Sequence, residues 1–164
     1  MKKFQSDPNT TTLTTAKQWL RSNFDEGEIS ACPCCGQAVK LYKRKMNKGM
    51  ASALLRVHQL LKKAGGAWLH VNGLSELEKS QLSHMEFQKL RWWKVIEESP
   101  AERGSWRITP LGVDFINGRV QVRKYIYLFD DRPAKDVKNM DTTTTSITEA
   151  FGEKFDLQEL MSSL

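Results

Sequence analysis

The stretch WWKVIEESPAERGSWRITPLGVDFING, residues 92–118, constrains this chain more than any other. A helix end, Leu90-Arg91-Trp92-Trp93, runs directly into a short apolar pair, Val95-Ile96. Ser99-Pro100-Ala101-Glu102-Arg103-Gly104 has turn chemistry: proline presets one backbone angle, and glycine and serine accommodate the bend. Trp106-Arg107-Ile108 is a second short run. Thr109-Pro110 then starts a helix, with a hydroxyl to cap it and a proline at the position where a missing N–H does no harm. The order is helix, strand, turn, strand, helix.

Upstream, Met46 to Ala64 is predicted to be the longest helix. Met50, Ala53, Leu54, Val57, Leu60 and Leu61 repeat at the spacing of one apolar face. Lys62-Lys63 suit its last turn and Gly65-Gly66 stop it. Residues 67–71 are predicted as a strand and Asn72-Gly73 as a turn. Two capping-box patterns follow eight residues apart, Ser75 with Glu78 and Ser83 with Glu86. They predict a short helix, a tight turn and a second helix reaching about Trp92. Phe87, Leu90 and Trp93 should face the core, leaving His84, Gln88, Lys89 and Arg91 outside. Trp19, Trp68, Trp93 and Trp106 are expected in the core. Trp92 and Trp93 cannot point the same way, so one of them is expected near the surface.

At the N-terminal side, residues 1–12 are expected to be disordered and 13–24 to form a short helix. Residues 25–40 read as a loop around CPCCG, and 41–48 as a basic connection. After the second helix start, residues 120–129 alternate as one strand ended by Arg132-Pro133. Residues 135–146, which include TTTT, are predicted as a loop and 147–161 as a final helix. The organisation expected is a helix-plus-knuckle segment at 13–48, a core domain at 49–119 and an extension at 120–164.

The core, 49–118, resembles winged-helix DNA-binding domains of the MarR and PadR kind. The resemblance rests on the order of elements and on Gly104-Ser105-Trp106-Arg107-Ile108-Thr109-Pro110-Leu111-Gly112. It covers under half the chain. The whole chain also looks like small bacteriophage and prophage proteins that carry a CPCCGQ knuckle before a basic helix. The fold expected is therefore α+β, a winged helix-turn-helix core with an N-terminal Cys knuckle and a C-terminal strand and helix extension. The resemblance implies duplex DNA as partner, with Gln88, Lys89 and Arg91 at base edges and Arg103 and Arg107 on the wing at phosphates. A phage-encoded adaptor that binds a host protein is the alternative. Glu86, Glu97, Glu98 and Glu102 favour it, since they present the wrong sign to phosphates.

Charge agrees with a polyanion partner. The net charge is +6, with nine Lys/Arg against four Asp/Glu over residues 1–48, ten against seven over 49–119, and six against eight over 120–164. Lys40, Lys43, Arg44, Lys45 and Lys48, with Tyr42 among them, are five cations in nine residues. Of these, Lys43, Arg44 and Lys45 are candidate phosphate contacts, against a plain solvated surface. No apolar run approaches the ~20 residues of a membrane span, and the two N-terminal lysines precede no apolar stretch of a secretory signal. A cytoplasmic, membrane-free protein is expected.

The three cysteines lie between positions 32 and 35. Cys32-Pro33-Cys34-Cys35-Gly36 contains C-x-x-C in zinc-knuckle form, where proline and glycine turn two thiolates towards one ion. Tetrahedral zinc needs four ligands. Cys32 and Cys35 are the first pair, Cys34 a candidate third, and His70 is preferred over His58 and His84. Completion between two chains of a homodimer is another option. A glutaredoxin-type redox motif needs an apolar strand before it, and Glu28-Ile29-Ser30-Ala31 is not one. Free cysteines in a loop are the plain alternative. No phosphate-binding glycine loop, G-x-S-x-G or H-E-x-x-H is present, so no enzymatic activity is expected.

Overall fold

The computed structural model describes residues 12–22, 30–32, 36–84, 86–129, 131–134 and 140–152. The expectations for the first eleven residues, for Cys34 and Cys35, for residues 135–139 and for a helix beyond 152 lie outside the described residues. In chain order the elements are α1 Leu13–Ser22, β1 Ser30–Ala31, β2 Ala38–Val39, β3 Tyr42–Lys45, α2 Lys48–Ala64, β4 Leu69–His70 and α3 Glu76–His84. A 3-10 helix, Phe87–Trp93, follows, then β5 Ile96–Glu98, β6 Ser105–Ile108 and α4 Pro110–Ile116. The chain continues through β7 Val122–Arg123, β8 Tyr125–Phe129, β9 Arg132–Pro133, β10 Thr144–Thr145 and α5 Ile147–Phe151. The class is α+β. No helix among the described residues is long and apolar enough to cross a membrane.

The chain divides into two compact units. One comprises the chain up to Arg44 together with Ile126–Asp141; the other comprises Lys45–Tyr125 and the chain from Thr142 on.

The second unit is built around α2. Asn47 caps it by accepting from the Met50 amide at 3.0 Å, and Gly65 ends it in the left-handed region at φ +61. Met50, Ala51, Ala53, Leu54, Leu55, Val57 and Leu60 are buried. Beside it lies a three-stranded sheet in the order β4-β6-β5. Leu69 is opposite Trp106, and Ile96, Glu97 and Glu98 are opposite Ile108, Arg107 and Trp106, both pairs antiparallel. Ser75 and Glu78 form the reciprocal cap of α3, and the Ser75 hydroxyl and amide hold the Glu78 carboxyl below its ordinary range. Thr109 caps α4 by accepting from the Gly112 amide at 3.1 Å, with Pro110 at the helix start. The indole N–H of buried Trp106 has no hydrogen-bond partner among the described residues.

Several expectations are corrected. Residues 42–45 are a strand, not a connection; all four side chains are exposed, so no apolar alternation marks it. The second capping box does not form: Ser83 lies inside α3, and the next helix starts at Glu86, at φ +54 with no side-chain cap. That helix is 3-10 rather than α. Trp92 and Trp93 are both buried, at 9% and 4% exposure. Adjacent residues of a 3-10 helix point about 120° apart, so burying both requires cover on two sides. On one of them the Trp93 indole donates to the Arg123 carbonyl at 2.6 Å.

The expected strand over 120–129 is split at Lys124. β7 pairs with β10, whereas β8 lies between β3 and β9 in another sheet. The Lys124 amide donates to Thr143, and its carbonyl accepts from Met46. Thr144-Thr145, expected in a loop, therefore form a strand opposite Arg123 and Val122. Arg132-Pro133 does not end the run but returns as β9 beside Leu128 and Phe129. Ser30–Ala31 and Ala38–Val39, expected as loop, pair as a short antiparallel hairpin.

Candidate functional site

The exposed face beside the β4-β6-β5 sheet is organised by the three-residue repeat of the 3-10 helix, which stacks side chains at i and i+3. Phe87, Leu90 and Trp93 form a buried row. Gln88 and Arg91 form an exposed row, and Lys94, just past the helix, is exposed too. Glu86, Lys89 and Trp92 form a third row that runs from exposed to buried. The Lys89 ammonium is bonded to the Glu86 carboxylate. Gln88 and Arg91 thus occupy the outer edge, while Lys89 is partly neutralised. Lys94 was not anticipated, because the helix end was read at about Trp92 with no cation assigned to the residue after it. It caps the helix in the left-handed region at φ +59, and its amide donates to the Arg91 carbonyl.

The buried row fixes this edge to the sheet. Phe87 meets Trp106 edge to face, with centroids 5.5 Å apart and planes at 77°. Such pairs contribute about 0.5–1.5 kcal/mol beyond area burial. A cleft of about 440 Å³ opens between α3 and the 3-10 helix, lined by Val71, Lys79, Leu82, Phe87, Gln88 and Lys89 among others.

The hairpin β5-β6 is stiffened at its tip. The Ser99 hydroxyl accepts from the Ala101 and Glu102 amides, and the Ser99 amide donates to the Ser105 carbonyl. Its carboxylates have local tasks. Glu98 accepts from the Gly104 amide at 2.9 Å, and Glu102 accepts from the Ser105 hydroxyl at 2.6 Å. Glu97 is bonded to Arg107, directly opposite across the strands. The Arg107 guanidinium also lies 4.6 Å from the Trp68 ring centroid. Trp68 is therefore only half buried and holds an arginine, contrary to its expected core role. Arg103 is exposed at the tip, and Arg107 is anchored on both sides.

His70, the preferred histidine for zinc, sits on β4 and uses Nδ1 to accept from the Asn72 amide at 3.2 Å. Its Nε2 lies 3.6 Å from Glu102. On α2, burial and then the Lys62 ammonium lower the pKa of His58.

Lys43, Arg44 and Lys45 lie on β3, the first two of them in the first unit. Lys43 pairs with Asp141 at 3.3 Å and sits 5.6 Å from the Tyr127 ring centroid. Cys32 is half-buried at the end of the β1-β2 hairpin. Its amide donates to the Gln37 carbonyl and its carbonyl accepts from the Gly36 amide, both at 2.8 Å. Gly36 takes φ +70, where a side chain would be strained. Among the described residues, no group of three or more His, Cys, Asp or Glu side chains could hold a metal ion.

No family model, curated protein or solved structure matches this chain.

Proposed function

We propose that residues 48–116 form a winged-helix module that binds duplex DNA, as a regulator of the phage or prophage kind. The observation that carries this reading is the sheet order β4-β6-β5, with the hairpin β5-β6 as wing and the helical pair α3 and Phe87–Trp93 between its first two strands in sequence. The exposed row Gln88 and Arg91 is the base-reading edge, with exposed Lys94 just past the helix end. Glutamine and arginine offer the paired hydrogen bonds that adenine and guanine accept in the major groove. Arg103 at the wing tip serves the phosphate backbone. Arg107, anchored by Glu97 and Trp68, holds the wing sheet in shape.

Affinity for duplex DNA, measured at several salt concentrations, tests this. Arg91→Ala and Gln88→Ala are each expected to lose about 1–3 kcal/mol at one position of a preferred site. Arg103→Ala should weaken all duplexes alike and lower the salt slope by about one. Lys89→Ala should do less than Arg91→Ala, since Glu86 already holds its ammonium. Wild-type affinity in both Arg91→Ala and Gln88→Ala, with the fold intact, removes this edge as the DNA surface.

A second reading is an adaptor that binds a host protein. The pairing of Lys89 with Glu86 and of Arg107 with Glu97 favours it, as does the part-apolar cleft beside them. It takes over if the wild type binds no duplex at low salt.

We also propose a structural zinc held by the knuckle, through Cys32 and Cys35. Its support is the hairpin turn closed by two backbone hydrogen bonds around Cys32, with a left-handed glycine after the cysteines. Elemental analysis should find one zinc per chain, lost in Cys35→Ser. Freshly purified wild type without zinc, or an unchanged content in the variant, ends the proposal.

A further inference from the structure

On β3 an aromatic ring and cations stand together on open surface. β3 is an edge strand of the sheet β3-β8-β9, and all four of its residues are exposed. Strand alternation sends Tyr42 and Arg44 to one face and Lys43 and Lys45 to the other. Lys43 is engaged by Asp141 and Tyr127. On the opposite face Tyr42 is 53% exposed.

Single exposed apolar residues are ordinary, but this ring stands at the junction of two hollows. The first, about 620 Å³, is lined by apolar Leu20 and Phe129 and by Lys17, Lys40 and Arg132 as well as Tyr42. The second, about 390 Å³, is lined by Tyr42, Arg44, Leu128 and Asp131. The Lys40 ammonium lies 5.9 Å from the Tyr42 ring centroid.

We infer that this face of the first unit binds single-stranded nucleic acid, one base stacking on Tyr42 while Arg44, Lys40, Lys17 and Arg132 meet the phosphates on either side. A flat ring between hollows takes a base that has left its neighbours, and in a duplex the bases are already stacked on each other. The surrounding cations match the backbone in sign. Asp131 repels phosphate and instead accepts from a base N–H, which in thymine is the N3 imide, so the base, not the backbone, lies in the smaller hollow. The inference is independent of the duplex reading, whose residues belong to the second unit.

The test is fluorescence anisotropy of the full chain with a labelled oligo(dT) strand and with a labelled duplex of equal length. Tyr42→Ala is expected to bind the single strand roughly 5- to 150-fold more weakly, the range for losing one stacked base. Tyr42→Phe keeps the ring and should keep the affinity. Arg44→Ala should weaken single-strand binding and lower its salt slope by about 0.7. Neither Tyr42 variant should move duplex affinity, which Gln88→Ala and Arg91→Ala report separately. Tyr42→Leu, which keeps bulk without a flat ring, stands in if Tyr42→Ala loses its circular dichroism. No single-strand binding at low salt overturns the inference. So does wild-type affinity in Tyr42→Ala, including the case where Arg44→Ala alone weakens binding and the contact is to phosphate only.

Discussion

Gly112→Ala is expected to destabilise the second unit by about 3 kcal/mol, at the upper end for an overpacked core. In a chain of this size that is roughly 6–12 °C in Tm. A Cβ at this position would lie 2.1 Å from the Val95 carbonyl oxygen and 2.7 Å from Cγ2 of Ile108. Neither neighbour can retreat easily. The Val95 carbonyl accepts from the Thr109 amide, and the Thr109 hydroxyl donates to the Lys94 carbonyl at 2.7 Å, so α4 is pinned to the end of the 3-10 helix at two points. The sign makes the experiment decisive. In an exposed helix, glycine to alanine stabilises by about 1 kcal/mol. Thermal and urea melts that show an unchanged or raised midpoint would contradict the close approach of α4 to Val95.

Phe87→Ala is expected to cost about 3–5 kcal/mol, the usual range for emptying a buried phenyl site. Phe87 is 4% exposed and braces Trp106 edge to face. Its loss should also weaken duplex binding, although the ring touches no ligand in the proposed mode, because it holds the row of Gln88 and Arg91 against the sheet. Ile147→Ala is the control: it empties a fully buried site on α5, which packs against α2. Both variants are compared by urea melt and by duplex affinity at a temperature where each remains folded. Equal duplex affinity in the two would show that Phe87 does not position the reading edge.

Some of this architecture was legible from local chemistry. The apolar repeat from Met50 to Leu60 and the stop at Gly65 marked α2, since helix burial and a left-handed terminus leave a trace in residue type. Ser99-Pro100 to Gly104 marked the turn between β5 and β6, and Thr109-Pro110 marked α4. In each case the signal and the structure it specifies lie within a few residues of each other.

What was not legible depends on partners far along the chain. YKRK carries no apolar alternation, because β3 is exposed on both faces. VQVRKYIYLF reads as one apolar run, yet its alternation changes phase at Lys124, from Val120 and Val122 to Tyr125, Tyr127 and Phe129, and the hydrogen-bonding partner changes there from β10 to β3 and β9. Ser83 to Glu86 has the letters of a capping box, but Ser83 is already committed to α3 and the chain turns left-handed at Glu86. Of the proposed reading edge, Gln88 and Arg91 are outward-facing in either kind of helix. Lys94 lies past the helix, where the left-handed turn that exposes it has no local signal in the sequence. Tyr42 was visible as an aromatic among cations, while the two hollows beside it depend on α1, β2, β8 and β9, which no local pattern announces.

The division of the chain into units has a consequence for synthesis. The chain passes between them three times, after Arg44, after Tyr125 and after Asp141. Neither unit is a continuous piece of polypeptide. As the protein emerges from a ribosome, β3 comes out at Tyr42–Lys45, but the strands that complete its sheet, β8 and β9, begin only at Tyr125 and Arg132. By then α2, the β4-β6-β5 sheet and α4 have already emerged and can condense among themselves. The unit that begins first is therefore closed late, and a truncation anywhere between Lys45 and Ile126 deprives it of its sheet while leaving its cysteines in place.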